Sequence, residues 1–195
     1  VGTEEGVARF DGTACVVHDR RNTPGLPHNV VYALLGSADG SLWIGTAAGL
    51  ARIVERSARP YGARDGVPER AVRCLLADRS GAVWAGTSGG GLVRIAGEEI
   101  TVLTTRNGLP SDEVSSLLED PDGTLWIATS RGLARRAPDG TLETVAIPGA
   151  PSERLRGLSR GADGALWVGS DAGAVRWKDG SARPIRAADG LASEK

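Results

Sequence analysis

Two arginines stand where apolar residues are expected. Arg73 sits in Val72-Arg73-Cys74-Leu75-Leu76, and Arg156 in Leu155-Arg156-Gly157-Leu158. A guanidinium at such a place can clamp a carboxylate or sulfate through parallel N–H donors. It can equally close on an acid of the chain itself, such as Glu69, Asp112 or Glu153. The sequence leaves both readings open. Other chemistries find less support. His18 and His28 do not make a nucleophile, base and acid set. No His-x-x-x-His or Cys-x-x-Cys pair offers a zinc site. Each Asp-Gly pair brings one carboxylate to a hairpin turn, which falls short of the roughly six oxygens that calcium needs. The recurring glycines Gly49, Gly91, Gly132 and Gly173 fit turns with positive φ. A phosphate cradle would need a helix behind it, and no stretch has a sustained helical apolar period.

What positions these residues is a repeat. Gly40-Ser41-Leu42-Trp43-Ile44-Gly45-Thr46, ending at Gly49-Leu50, returns around Trp84, Trp126 and Trp167, at spacings of 41, 42 and 41 residues. Even spacing of this length marks a repeat architecture. Within residues 28–68, Val31, Ala33 and Leu35 alternate with Tyr32 and Leu34, which predicts a strand packed on both faces. Asp39-Gly40 predicts a hairpin turn. Leu42–Ile44, Leu50–Val54 and a polar Arg59–Ala63 predict three further strands. The other repeats follow the same plan.

Four short antiparallel strands in each unit of ~40–45 residues, joined by glycine turns, describe blades of a β-propeller. The expected fold is therefore all-β, with blades at 28–68, 69–110, 111–151 and 152–192. Residues 1–27 supply strands two to four of a partial blade, and 193–195 open a further one. Val1-Gly2-Thr3 matches Ile44-Gly45-Thr46, and Gly190-Leu191-Ala192-Ser193-Glu194 matches Gly108-Leu109-Pro110-Ser111-Asp112. The expectation is a fragment of a larger ring.

Composition narrows the partners. The chain has 23 basic and 24 acidic residues and a net charge of −1, so it offers no single-sign field to nucleic acid or an anionic membrane. No apolar run approaches the ~18 residues of a membrane span. Cys15 and Cys74 fall at different phases of the repeat, which argues against a disulfide framework. Trp43, Trp84, Trp126 and Trp167 recur at one strand position, as packing residues do, whereas a sugar-stacking platform uses differing exposed positions. Trp177 breaks the repeat and suits a half-buried outer strand.

Two motifs are more specific than the strand pattern. One is the inter-blade Gly-Leu/Val-Pro, at Gly25-Leu26-Pro27, Gly66-Val67-Pro68 and Gly108-Leu109-Pro110. The other is the run from Asp39 to Arg52. Together they resemble the two-component regulator propeller repeat over essentially the whole chain. Departures are local: Ser80 for the turn aspartate, an added Gly90, Ala128 for a glycine, and Pro148-Gly149-Ala150-Pro151 for Asn-Gly-Leu-Pro.

The resemblance implies a non-enzymatic, periplasmic sensor domain. Its output modules, a histidine kinase or a diguanylate cyclase, would lie in segments outside this chain, as would any membrane anchor. The resemblance further implies a homodimeric receptor, no cofactor, and a small molecule, oligosaccharide or protein as ligand. Alternatives are a secreted protein-binding scaffold and a streptogramin-lyase-like enzyme resting on His28.

In such propellers the ligand face carries the inter-blade loops and the loops between strands two and three. There the scaffold is interrupted by positions that differ between blades: His28 and Asn29, Glu69 and Arg70, Ser111 to Glu113, Glu153 and Arg154; then Tyr32, Arg73, Ser115 and Arg156; then Ala47, Ser88, Arg131 and Asp171. Among them Tyr32, Arg70, Arg73, Asp112, Arg131, Arg154 and Arg156 are the expected ligand-binding residues.

Overall fold

The computed structural model describes residues 1–54, 57–148, 154–185 and 189–190. Glu153, Gly149 to Pro151 and Leu191 to Lys195 therefore lie outside the described residues. The described chain forms five antiparallel sheets, each with its strands in sequence order. The first holds β1 (Gly2–Thr3), β2 (Gly6–Phe10) and β3 (Cys15–His18). The second holds β4 (Val31–Gly36), β5 (Leu42–Thr46), β6 (Gly49–Val54) and β7 (Ser57–Tyr61). The third holds β8 (Val72–Ala77), β9 (Val83–Thr87), β10 (Leu92–Ala96) and β11 (Glu99–Leu103). The fourth holds β12 (Val114–Glu119), β13 (Leu125–Thr129), β14 (Gly132–Arg136) and β15 (Leu142–Val145). The fifth holds β16 (Leu155–Arg160), β17 (Leu166–Ser170), β18 (Gly173–Lys178) and β19 (Ser181–Ile185). The chain divides into two compact units, Val1–Val102 and Leu103–Lys195.

In the first unit, sheets bury their faces against one another. Val7 of the first sheet meets Val31, Ile44 and Ile53 of the second, with Leu26 between. On its other face the second sheet gives Trp43, Leu50 and Tyr61 to a core shared with Val72, Val83, Ala85, Val93 and Ile95 of the third. In the second unit, Trp126, Ala128 and Leu133 of the fourth sheet pack with Leu155, Leu166, Val168 and Val175 of the fifth. Trp43, Trp84 and Trp126 are buried, which bears out their reading as packing residues. Trp84 and Trp126 each donate Nε1 to an aspartate six residues earlier, Asp78 at 2.7 Å and Asp120 at 2.8 Å. Trp177 is half-buried and meets Trp126 edge-on, with centroids 5.7 Å apart.

The inner strands correct the expected alternation. Val31 pairs with Thr46, but Ala33 pairs with Gly45, so Tyr32 is an extra residue in a β-bulge. A bulge reverses the in-and-out phase beyond it. Val31 and Leu34 thus serve one core, with Ile44, while Leu35 serves the opposite one, with Trp43. The same irregularity falls at Arg73, between Val72 and Cys74. It recurs at Ser115, between Val114 and Ser116, and at Arg156, between Leu155 and Gly157.

The fourth strands are also shifted. The one expected over Arg59–Ala63 runs from Ser57 to Tyr61, because Ala63–Asp65 turns into a 3-10 helix. Its partner in the second unit is Thr105–Asn107. Asp65 accepts from Gly62 N at 3.1 Å, and Asn107 from Thr104 N at 3.0 Å, so each turn is closed by its own side chain. Gly66 and Gly108 follow with φ of 78° and 104°, a conformation that favours glycine. Val67 and Leu109 then plug the core. This accounts for the glycine and the Leu/Val of the Gly-Leu/Val-Pro motif.

Blade spacing depends on a missing side chain. A Cβ on Gly45 would lie 2.7 Å from Val72 Cγ1 and 2.9 Å from Val72 O, and one on Gly2 would lie 2.7 Å from Val31 Cγ1. At the equivalent place in the fourth sheet, Ala128 is fully buried in the cluster that holds Leu155. Leucine has no branch at Cβ, so the alanine methyl has room there. Gly45→Ala is therefore expected to overpack this contact and destabilise the protein by about 1–3 kcal/mol, read as a shift of the urea midpoint. An unchanged midpoint would contradict the close packing.

Candidate functional site

The bulge supplies the candidate site. A bulged residue is unpaired in the ladder, and its side chain is re-aimed away from the packed faces. Tyr32, Arg73, Ser115 and Arg156 hold this position, which explains why it varies while its neighbours repeat. Tyr32 is 44% exposed, and Arg73 and Arg156 are exposed as well.

In the first unit the structure brings Tyr32 and Arg73 together. The Arg73 guanidinium carbon lies 4.2 Å from the Tyr32 ring centroid, a cation–π contact between neighbouring blades. Arg73 Nε donates to Ser88 Oγ at 2.9 Å, reaching the loop between strands two and three of its own blade. Among the described residues no carboxylate lies within 4.0 Å of Arg73. Glu69, offered by the sequence as its partner, instead accepts from Ala63 N at 3.5 Å. Arg70 is exposed, and its backbone N donates to Pro68 O.

In the second unit Arg154 and Arg156 converge on Asp171. Arg156 donates Nε to Oδ1 at 2.6 Å and Nη2 to Oδ2 at 2.8 Å, while Arg154 Nη1 stands 3.9 Å from Oδ2. The salt-bridge reading thus holds for Arg156, but with Asp171 rather than Asp112 or Glu153 as partner. Sequence distance hid the pair, since the two residues lie fifteen apart across a hairpin. The hydrogen bond from Arg156, opposed by slight burial and aided by the charges of Arg156 and Arg154, holds the Asp171 carboxyl below its ordinary pKa. The same bond raises the pKa of Arg156, with Glu113 adding to its field. Arg154 has a positive φ of 52° and is fixed on both sides. Its N donates to Ser130 O, and its O accepts from Asp171 N. Non-glycine residues held in this region cluster at functional sites.

The remaining candidates are placed apart. Arg131 is exposed, with its backbone N on Thr129 Oγ1. Asp112 accepts from Thr105 N at 2.6 Å and so fastens the inter-blade turn. Asn29 does the same for Arg20 N at 3.0 Å, so this position serves the chain's own backbone. Ser115 donates to Leu155 O at 2.6 Å and joins two blades. His28 accepts with Nδ1 from Val30 N at 3.0 Å. Among the described residues no group of three His, Cys, Asp or Glu could hold a metal ion, and no helix is long and apolar enough to cross a membrane.

These sheets are blades of a β-propeller. Residues 25–48 and 108–131 match the two component regulator propeller family model. Several solved structures share the fold. One is described as the extracellular domain of a hybrid two component system, BT3049, from B. thetaiotaomicron. It is 23% identical with a TM-score of 0.76, over 87% of this chain and 24% of that one. PorZ of Porphyromonas gingivalis, a surface component of the type-IX secretion system, is 11% identical with a TM-score of 0.75, over 98% of this chain and 32% of its own. Virginiamycin B lyase from Staphylococcus aureus is 21% identical with a TM-score of 0.62, over 80% and 55%. This chain thus spans only part of each of these relatives. No curated protein matches it.

The depressed Asp171 pKa has a checkable sign. The pair contributes stability above the ordinary carboxylate pKa, and loses it as pH falls through the lower folded value. An NMR titration should place the Asp171 midpoint below that of an ordinary aspartate, and Arg156→Gln should move it back up. Identical midpoints in the two proteins would mean that the pair does not form in solution.

Proposed function

We propose that this chain is a periplasmic ligand-sensing part of a bacterial signal-transduction receptor, with its binding residues on the face of bulges and strand two–three loops. The observation that carries the reading is the bulge. The blades otherwise repeat, yet the bulge residue differs between them: Tyr32, Arg73 and Arg156 are exposed, while Ser115 bonds the next blade. Packing requires sameness between blades, whereas recognition of an asymmetric ligand requires difference. The match to two component regulator repeats, and the shared fold of an extracellular two component domain, support a sensing role.

In the whole protein, ligand binding at this face would shift a homodimer between two arrangements, by as much as its affinities for them differ. A histidine kinase or diguanylate cyclase would read that shift. Candidate ligand-facing positions fall in each of the blades 28–68, 69–110, 111–151 and 152–192. In the first unit Tyr32 and Arg73 form the centre of the ligand-binding set, with Arg70 at its margin; in the second unit Arg154 and Arg156 form it, with Arg131 at the margin and Asp112 as a support. The ligand would be a small molecule, an oligosaccharide or a protein segment.

A thermal-shift screen of extracellular metabolites, oligosaccharides and peptides tests this. A true ligand at a hundred times its Kd should add about 2.7 kcal/mol to stability. That gain should vanish in the Tyr32→Ala, Arg73→Ala, Arg156→Ala triple variant. In the full-length receptor the same variant should lose ligand-dependent output. Signalling that survives the triple variant intact would overturn the assignment.

A further inference from the structure

The two bulge arginines make an internal comparison. Each donates Nε to the residue fifteen positions on, in the loop of its own blade: Arg73 to Ser88 Oγ at 2.9 Å, Arg156 to Asp171 Oδ1 at 2.6 Å. In the fifth blade a second donor, Nη2, completes a two-pronged bond to Asp171 Oδ2 at 2.8 Å. The seat beside Arg156 is thus filled by a carboxylate of the protein. In the third blade serine stands in place of aspartate. Ser88 gives one oxygen and no charge, and among the described residues no other carboxylate comes within 4.0 Å of Arg73.

From this comparison we propose that Arg73, braced by Tyr32, seats a carboxylate group of the ligand. The inference rests on the reading that this face binds ligand, and it names the chemistry that the face selects. The Tyr32 ring, 4.2 Å from the guanidinium carbon, holds the plane of Arg73 and limits the freedom it would lose on binding. Arg73 Nε is already committed to Ser88, so its terminal nitrogens are the ones turned to the ligand. The Ser88 hydroxyl accepts from Nε and keeps its own hydrogen to donate to a carboxylate oxygen. A guanidinium fork matches a carboxylate in geometry, and its single charge balances a monoanion. The two blades thus differ: Arg73 anchors the ligand, while the charge of Arg156 is balanced within its own blade by Asp171.

The test uses sodium benzoate as probe and follows the Arg73 and Arg156 Nε–H signals by NMR. The wild-type protein should show a saturable shift at Arg73 and none at Arg156. Ser88→Asp, which supplies the missing carboxylate in place, should weaken the Arg73 response at least tenfold. Asp171→Ser should open a second seat, so that Arg156 responds as well. A wild-type Arg73 signal that does not move, or a Ser88→Asp protein that binds as wild type does, overturns the proposal. Failure here would leave the sensing role standing, because the metabolite screen and receptor output judge that separately. Benzoate binding at Arg73 beside a metabolite screen in which nothing stabilises the protein or changes receptor output would instead keep the seat and remove the sensing role.

Discussion

The constraint on which the rest depends is how closely one blade must lie on the next. At Gly45 the approach leaves no room for a methyl group beside Val72, and Gly2 meets Val31 in the same way. A four-stranded sheet that is apolar on both faces cannot bury them alone, so contact with its neighbours is the source of its stability. That contact fixes which positions repeat. Glycine or alanine stands in strand two, a branched aliphatic residue in strand one of the next blade, and tryptophan beside them. Ala128 with Leu155 shows that the pair varies together: when the branch moves outward from Cβ, the glycine can gain a methyl.

Polar groups stitch the same faces. Ser115 reaches Leu155 O, and Leu158 N reaches Ser116 Oγ, so two blades of the second unit share hydrogen bonds as well as side-chain packing. Asp120 accepts from Trp126 Nε1 and also pairs with Arg160 of the following blade. These groups are satisfied within the protein and so carry little recognition. What remains for recognition is the residue that the ladder excludes. By leaving the pairing, the bulge frees Tyr32, Arg73 and Arg156 from the packing rules, whereas Ser115 turns back to bond the next blade.

Much of the fold was legible because propeller packing writes itself into spacing. The tryptophan period, the Gly-Leu/Val-Pro segments and the Asp-Gly turns each have one geometric use, and each repeats. The bulge was not legible. Val31, Ala33 and Leu35 alternate with Tyr32 and Leu34 whether or not the strand is paired evenly, and only register tells the two cases apart. The partner of Arg156 was hidden for a related reason, since Asp171 becomes its neighbour only after the hairpin closes. Asp112 looked like a ligand contact because it varies between blades, yet it fastens a turn. In the third blade Glu69, one position earlier, takes over that task and releases Arg70. Variation alone therefore mixes recognition with local repair, and hydrogen bonding separates them.

The most direct measurement is a stability comparison at paired positions. Each of Tyr32, Arg73 and Arg156 would be replaced by several residue types, as would Val31, Val72 and Leu155 immediately before them, and unfolding midpoints recorded for all. The account predicts changes within about 0.5 kcal/mol at the bulge positions, as for surface sites, and losses of about 2–5 kcal/mol for alanine at the aliphatic ones. Bulge substitutions that unfold the protein as readily as their neighbours would show that this position belongs to the scaffold, and would contradict the separation of packing from recognition.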